Sequence, residues 1–449
     1  MVGTGAVRAS SLPLPTSNPS TATVSSLLYD PTSHSLALLH SDSSVSLHPD
    51  ATRLLPPNSL LPPPQALVPP PVSSSAFVSL LDNPHPDASS PPRTIFVSSH
   101  PHRGGSQIVF RLLLLKSGKF VRARVVCKQK DLNFDCRLGV LFDRSHGVSL
   151  RICGSVNYFA VYSVSCSRVW VFGLRMLKAR DGASDGDDNG VKLMRCAVIE
   201  LCRPVSCMSL SFGLLVLGEE NGLRVFNLIG VLKGAAKKAK SDGLKLKGGR
   251  RSPNGVRNGF VEGKNDRPLE KQRSVKLKQD CSDGNSYFVT LERRDCKDLE
   301  STSKRMFSLK ATSIQSLCPK TFIVCDSLGE LHLLRLAKSN VASGVINLKL
   351  IPHIMKVQHL ATFPDTSTGP RSFWIGDGSQ SLHMVVESDS EAVLLEDGDN
   401  NVNPLHVSVV QAIFTCEKIQ GAVAFASNGI LILGEGSIGT LSRVSLHRN

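Results

Sequence analysis

Along most of the chain, short apolar runs alternate with clusters of Gly, Asn, Asp, Ser and Pro, and one unit recurs. It consists of an alternating strand, a short break, a strongly apolar strand, a tight polar or glycine turn, and another alternating strand. Its clearest copy is Val205–Leu228 (VSCMSLSFGLLVLGEENGLRVFNL); Thr312–Leu336 repeats it, with Gly329 taking the place of Gly222 in the turn. Further copies run over Val24–His48, Val148–Leu174, Val357–Glu387 and Ile419–Leu446. A looser one spans Ala76–Leu115, where AFVSLL, TIFVSS and QIVFRLLLL are separated by proline-rich and glycine-rich breaks. Period-2 alternation of β-branched and aromatic residues between turn residues signals a strand, and three such strands in a row form an antiparallel meander. A fourth strand belongs between units, with Leu348–Ile351 and Ala197–Leu201 as examples. The pattern predicts an all-β chain, a seven-bladed β-propeller of four-stranded antiparallel blades, with six or eight as the neighbouring counts. Radial repetition of small sheets leaves only short, protected edges.

The third strands of the units carry a family likeness. Leu223–Leu228 (LRVFNL), Arg168–Leu174 (RVWVFGL) and Leu331–Leu336 (LHLLRL) look like the third strand of the WD40, or transducin-like, repeat superfamily, which ends in Trp-Asp. The chain resembles that superfamily in pattern over most of its length. It departs from it in having no Trp-Asp dipeptide, no Gly-His opening and only two tryptophans, Trp170 and Trp374. Its units are spaced by about 45–110 residues, against ~40–45 in the superfamily. The resemblance implies a rigid scaffold whose rim and top-face loops bind protein partners, a monomeric propeller within a larger complex.

Composition agrees with such a fold over most of the 449 residues, 41% of which are hydrophobic and 20% charged. No apolar run approaches the ~18–20 residues that cross a bilayer; Ile108–Leu115 is broken by Arg111, so no membrane partner is expected. The N-terminus lacks the basic and apolar regions of a secretory signal. Residues 1–21 read as a disordered tail and 22–449 as the propeller. Residues 1–29 are rich in Ser and Thr with Arg8 the only base, so organelle import is a minor reading beside a nuclear or cytoplasmic one.

Charge changes the picture in one place. From Lys233 to Asp280 fifteen Lys or Arg stand against five Asp or Glu, within a basic low-complexity insertion assigned to 230–305. With few apolar residues to offset its ordering entropy, the insertion reads as a disordered loop. Lys237, Lys238, Lys245, Lys247, Arg250 and Arg251 have the spacing of a bipartite nuclear-import signal. The same cluster could contact nucleic-acid phosphates, as in a ribosome-assembly or RNA-processing factor, or could be a solvated spacer. No aromatic residue lies between Lys233 and Arg257 to stack on bases. Pro56–Pro71 reads as an extended polyproline linker between blades, with a ligand for an SH3- or WW-type partner as the lesser reading, and 178–191, containing Asp181–Asn189, as an acidic loop.

No motif carries catalysis, a cofactor or a metal. Gly434, Gly436 and Gly439 fit Gly-x-Gly-x-x-Gly, yet only ten residues follow, too few for a dinucleotide fold, so the segment is expected to be a hairpin turn. Asp185-x-Asp187-x-Asn189-Gly190 opens like a calcium loop, but Cys196 stands where a bidentate glutamate is required. His100 and His102 lack nearby ligands and read as a proline-bounded turn, and alternation sets Cys202 and Cys207 on opposite faces, against a zinc site. The twelve cysteines form no Cys-x-x-Cys pair, and Cys153, Cys207, Cys318 and Cys325 lie in apolar runs, which favours free buried thiols. No Gly-x-Ser-x-Gly elbow or phosphate-binding loop occurs. The chain therefore reads as a non-enzymatic scaffold, with a propeller enzyme as the remote alternative.

Overall fold

A strand covered on one face alternates in polarity, whereas a strand sandwiched between two sheets can be apolar throughout. The second strand of several units is of the latter kind: TFIVCD at Thr321–Asp326 and GILIL at Gly429–Leu433 are buried at every residue. Each sheet must therefore have a neighbour on both sides, which a ring of blades provides. The computed structural model describes residues 6–13, 22–51, 63–81, 92–144, 149–177, 190–232, 274–279, 286–291, 309–336, 346–353, 355–362, 371–387, 407–425, 429–435 and 437–444.

The first strand, β1 (Ala6–Pro13), pairs at the far end of the chain. Blade 1 consists of β2 (Val24–Asp30), β3 (Ser35–His40), β4 (Val45–His48) and β5 (Ala66–Val68). Blade 2 takes β6 (Ser74–Leu80), β7 (Arg93–His102) and β8 (Gln107–Lys116). An excursion through β9 (Lys119–Arg122), β10 (Arg124–Cys127) and β11 (Leu132–Asp135) precedes its fourth strand, β12 (Gly139–Phe142). Blade 3 is β13 (Leu150–Gly154), β14 (Tyr158–Ser163), β15 (Arg168–Met176) and β16 (Gly190–Glu200). In blade 4, β17 (Cys207–Ser211), β18 (Leu214–Glu219) and β19 (Gly222–Asn227) are followed by β20 (Val275–Lys278), which leaves the sheet, and β21 (Ser286–Thr290), which completes it. Blade 5 is β22 (Ala311–Cys318), β23 (Thr321–Asp326), β24 (Leu331–Leu336) and β25 (Ile346–Ile351). Blade 6 is β26 (His359–Thr362), β27 (Arg371–Gly376), β28 (Ser381–Glu387) and β29 (Val407–Phe414). Blade 7 joins β30 (Gly421–Phe425), β31 (Gly429–Leu433) and β32 (Ser437–Val444) to β1.

Each blade's first strand in this order lies nearest the axis. β2, β6, β13, β17, β22, β26 and β30 contact one another in turn, and β30 returns to β2. The buried side chains fall into seven clusters, each filling the space between two neighbouring blades. The largest, between blades 2 and 3, holds Phe110, Phe142, Phe159, Phe172 and Trp170. Its rings meet at centroid distances such as 5.0 Å for Phe159–Phe172 and 5.2 Å for Phe142–Trp170, contacts that add to the area they bury. The seven units read from the sequence correspond one to one with these blades, and the fourth strands expected near Ala197–Leu201 and Leu348–Ile351 are β16 and β25.

The structure differs from the sequence reading in five places. The tail assigned to 1–21 contains β1, paired residue for residue with β32 from Ala6↔Val444 to Pro13↔Ser437, so the two ends of the chain close the ring. The basic insertion assigned to 230–305 contains two strands: β21 is the outer strand of blade 4, and β20 joins blade 3 in parallel with Ala197–Glu200 of β16. Val275 and Leu277 alternate with Lys276 and Lys278, and the two apolar residues pack on the core between blades 3 and 4. The proline segment Pro56–Pro71 contains β5, and the acidic segment 178–191 ends inside β16. His100 and His102 lie in β7 rather than in a turn, and His100 is buried.

Candidate functional site

The cluster expected to carry import or phosphate contact, Lys237, Lys238, Lys245, Lys247, Arg250 and Arg251, lies outside the described residues, as do Asp181–Asn189 and Asp185–Asn189 of the rejected calcium pattern. The β20 part of the insertion is tied down by a glutamine. Gln279, which follows β20 and is buried, accepts hydrogen bonds from the backbone N–H groups of Cys202 and Arg203, both at 2.7 Å, and its own N–H donates to Glu200 O. Gln129, after β10, does the same higher on β16: it accepts from Arg195 N at 2.6 Å and donates to Arg195 O at 2.8 Å. β10 pairs in parallel with Gly190–Leu193 of β16 and β20 with Ala197–Glu200, so the Gln129 amide fills the gap between them. The outer edge of blade 3 is thus covered along its length. Beside it Asp131 bonds Arg195 and lies 3.5 Å from Arg144.

A second set of polar groups recurs where the second strand of a blade turns into the third. In blade 4, Arg224 Nε lies 2.7 Å from Glu219 Oε1, with the glutamate side chain fully buried and the guanidinium 5.0 Å from the Phe288 ring centre. In blade 5, His332 Nε2 lies 2.9 Å from Asp326 Oδ2, and the same carboxylate accepts from the N–H groups of Leu328 and Glu330. In blade 6, Asp377 accepts from the N–H groups of Ser379 and Ser381. These groups cross-tie strands within a blade and hold the turn. Burial works to raise the Asp326 pKa, but the His332 hydrogen bond and the two backbone donors outweigh it and hold the carboxyl below its usual range. The sequence reading missed these ties. Their signal is an acid at the end of an apolar strand with a base five or six residues on, as in Glu219/Arg224 and Asp326/His332.

Burial shifts several cysteines and two histidines. Burial pushes the thiols of Cys127, Cys196, Cys207 and Cys325 up to about 11 and that of Cys153 to about 12. Among the described residues no cysteine is in a disulfide; of the four expected to be buried thiols, Cys325 is buried and Cys153, Cys207 and Cys318 are half-buried. Burial, helped by His40, lowers His48 to about 4, and burial with the Arg111 charge lowers His100 to about 4. Between the ordinary imidazole value near 6.5 and about 4, the unfolded chain binds protons that these folded-state imidazoles refuse. Stability therefore falls as pH falls through that window, by up to about 3 kcal/mol for each histidine. Denaturant midpoints measured from pH 7 down to 4.5 are expected to drop, and the His48→Gln/His100→Gln double variant to show a shallower dependence; equal dependence in both proteins would contradict the assignment.

Two other features face solvent. At the axis, Leu27, Ser313, Gln358, His359 and Val423 from blades 1, 5, 6 and 7 line a cavity of about 200 Å³. On the rim of blade 6, β29 is an outer strand of eight residues, VSVVQAIF, in which Val409, Val410 and Phe414 are exposed, Phe414 to 77%. The Gly434–Gly439 motif is the hairpin expected of it: Gly434 N donates to Ser437 O across the turn from β31 to β32.

No family model matches the chain, and no curated protein matches it. Among solved structures it is similar to the β-propeller domain of Cps50 (Swd1) from Myceliophteria thermophila, with 8% identity and a TM-score of 0.46 over 98% of this chain and 100% of that one. It is similar also to the C-terminal WD40 domain of Sif2, with 10% identity and a TM-score of 0.40 over 95% of this chain and 83% of the other. These likenesses concern architecture alone. The plan of seven four-stranded blades stands on the chain's own strand pairings.

Proposed function

We propose that this propeller is a non-enzymatic platform for protein partners, with one copy of the chain per assembly, and that β29 is a docking edge where an extended segment of a partner adds as a further strand. Among the described residues no strand pairs with the outer edge of β29, and this edge carries the reading. A long, uncharged, apolar strand at a sheet edge presents unpaired backbone groups, and proteins ordinarily blunt such edges. The other outer strands are blunted. β11 covers β12, while β10 and β20 cover β16. β5 has three residues and β21 five, β25 carries Lys349, and β1 carries Arg8 and ends at Pro13. β29 has neither charge nor proline, and a bulge opposite Met384 and Val385 leaves Val410 without a ladder partner. Burial keeps the thiols of Cys153 and Cys325 protonated, so neither supports a nucleophile reading.

Quantitative mass spectrometry of proteins co-purifying with the tagged chain tests this. Val409→Lys/Phe414→Asp is expected to remove specific partners that the parent retains, without loss of folded protein; an unchanged partner set would place docking elsewhere. For the nuclear reading, the basic cluster Lys237–Arg251 acts as an import signal. Deleting 233–273, which spares β20, then lowers the nuclear share of the tagged chain, and an unchanged share removes that reading.

A further inference from the structure

We propose that the outer edge of blade 3, together with the excursion of blade 2, forms a contact surface for the phosphate backbone of a single-stranded nucleic acid. The surface belongs to the folded body. It lies on the other side of the ring from β29 and does not depend on the docking edge.

The excursion from Lys116 to Arg144 contains eight Lys or Arg and three Asp. The acids are engaged locally: Asp131 with Arg195 and Arg144, Asp135 with the N–H groups of Arg137 and Leu138. Asp143 lies within reach of Gln107 at 3.3 Å. The bases largely face outward, with Arg122, Arg124, Lys128 and Lys130 all exposed. From Lys119 to Cys127 the chain runs from the edge of β8 to that of β16, the buried Ala123 between its two strands, so this row bridges blades 2 and 3. Alternate residues of an extended strand lie about 6.6 Å apart, a step comparable to that between successive phosphates of an extended nucleic-acid strand.

β20 continues the row. It comes from the basic insertion of blade 4 yet docks on blade 3, where Lys276 and Lys278 are exposed. β10, Gln129 and β20 together follow the eleven residues of β16, a line of about 33 Å studded with cations. Lys278 stands opposite Glu200, which also lies 3.4 Å from Arg168, and is locally offset. Arg122 donates to the carbonyl oxygens of Cys136 and Arg137, neutral acceptors that leave its charge in place. In the β15–β16 ladder Arg175 stands directly opposite Lys192, a like-charge pair that costs stability unless an anion bridges it. A globular acidic protein would need a matching curved face. A flexible polyanion with evenly spaced charges follows a straight edge without one, and with no exposed aromatic in the row it is held without base preference.

Fluorescence anisotropy on the full chain tests this with a labelled oligouridylate of about twenty nucleotides across a salt series. The Lys128→Gln/Lys130→Gln/Lys192→Gln/Lys276→Gln variant is expected to bind about tenfold or more weakly at low salt, with a log–log salt slope shallower by about 3. Lys310→Gln/Lys320→Gln/Lys349→Gln/Lys418→Gln, on blades 5 and 7, is expected to bind as the parent does. Deleting 233–273 is expected to leave the difference between parent and four-lysine variant intact. Equal binding by parent and four-lysine variant overturns the proposal. So does tighter binding of a duplex of the same length, or equal competition by polyglutamate at matched charge. Because purified protein is used, failure here leaves the partner reading of β29 untouched.

Discussion

Replacing Arg224 by methionine destabilises the propeller by about 3–5 kcal/mol, the cost of leaving a buried carboxylate without its counter-charge. Glu219 is fully buried at the end of β18, and the Arg224 guanidinium donates to both of its oxygens, at 2.7 and 3.4 Å. The turn between them is set by Asn221, whose φ of 63° is in the left-handed region, and by Gly222, where a Cβ would meet Val289 O at 2.4 Å. Asn221 in turn receives Leu291 N and gives its own N–H to Leu309 O, linking the end of blade 4 to the start of blade 5. Loss of Arg224 therefore strains a junction that ties two blades. Glu219→Leu/Arg224→Met should recover most of the stability, since an apolar pair of similar volume needs no compensation. Chemical denaturation of both variants checks this; a single-variant cost below about 1 kcal/mol would mean that water reaches the pair.

Removal of residues 1–13 is expected to lower stability by a few kcal/mol and to cause concentration-dependent association. Without β1, blade 7 keeps three strands and β32 becomes a bare edge. The lost backbone hydrogen bonds contribute about 0.5–1.5 kcal/mol each, and the released entropy of eight residues returns much of that. Association is the sharper readout, because an unpaired edge is a template for another chain. Light scattering and thermal melts of the truncated and full chains compare the two; a monomeric truncated protein with an unchanged midpoint would contradict a structural role for β1.

How much of this was legible depends on where each strand gets its stability. The first three strands of every blade show in the sequence because their order is local: a continuous apolar run such as Leu214–Leu217 between turns, followed by a strand of similar make-up, pairs within a few residues. Outer strands depend on distant partners. AVRASSLP at Ala6–Pro13 has the composition of a tail, and its partner Ser437–Val444 lies at the other end of the chain. Ala66–Val68 is hidden among prolines, and VKLK at Val275–Lys278 has a period of two that the surrounding charge obscures. The basic surface was located in the insertion alone. Its folded part becomes visible only when β9 to β11 and β20 are seen to converge on β16. The polar ties, Asp326/His332 among them, were missed because each half, read alone, is an ordinary turn or strand residue.

The ring is closed by pairing of the first strand with the last, and a register-specific cross-link tests that closure most directly. In a background with the exposed Cys136, Cys202 and Cys416, together with Cys281 and Cys296, replaced by serine, Ser10→Cys/Thr440→Cys places the two thiols at directly paired positions. Paired residues on adjacent antiparallel strands have Cα atoms about 4.5–5.5 Å apart, within disulfide range, whereas a shift of one residue turns the side chains to opposite faces. Mild oxidation of the folded chain is expected to convert Ser10→Cys/Thr440→Cys to a compact, end-joined species on a denaturing non-reducing gel, and to leave Ser11→Cys/Thr440→Cys open. Failure of the first pair to cross-link, or equal cross-linking of both, would contradict the closed seven-bladed ring.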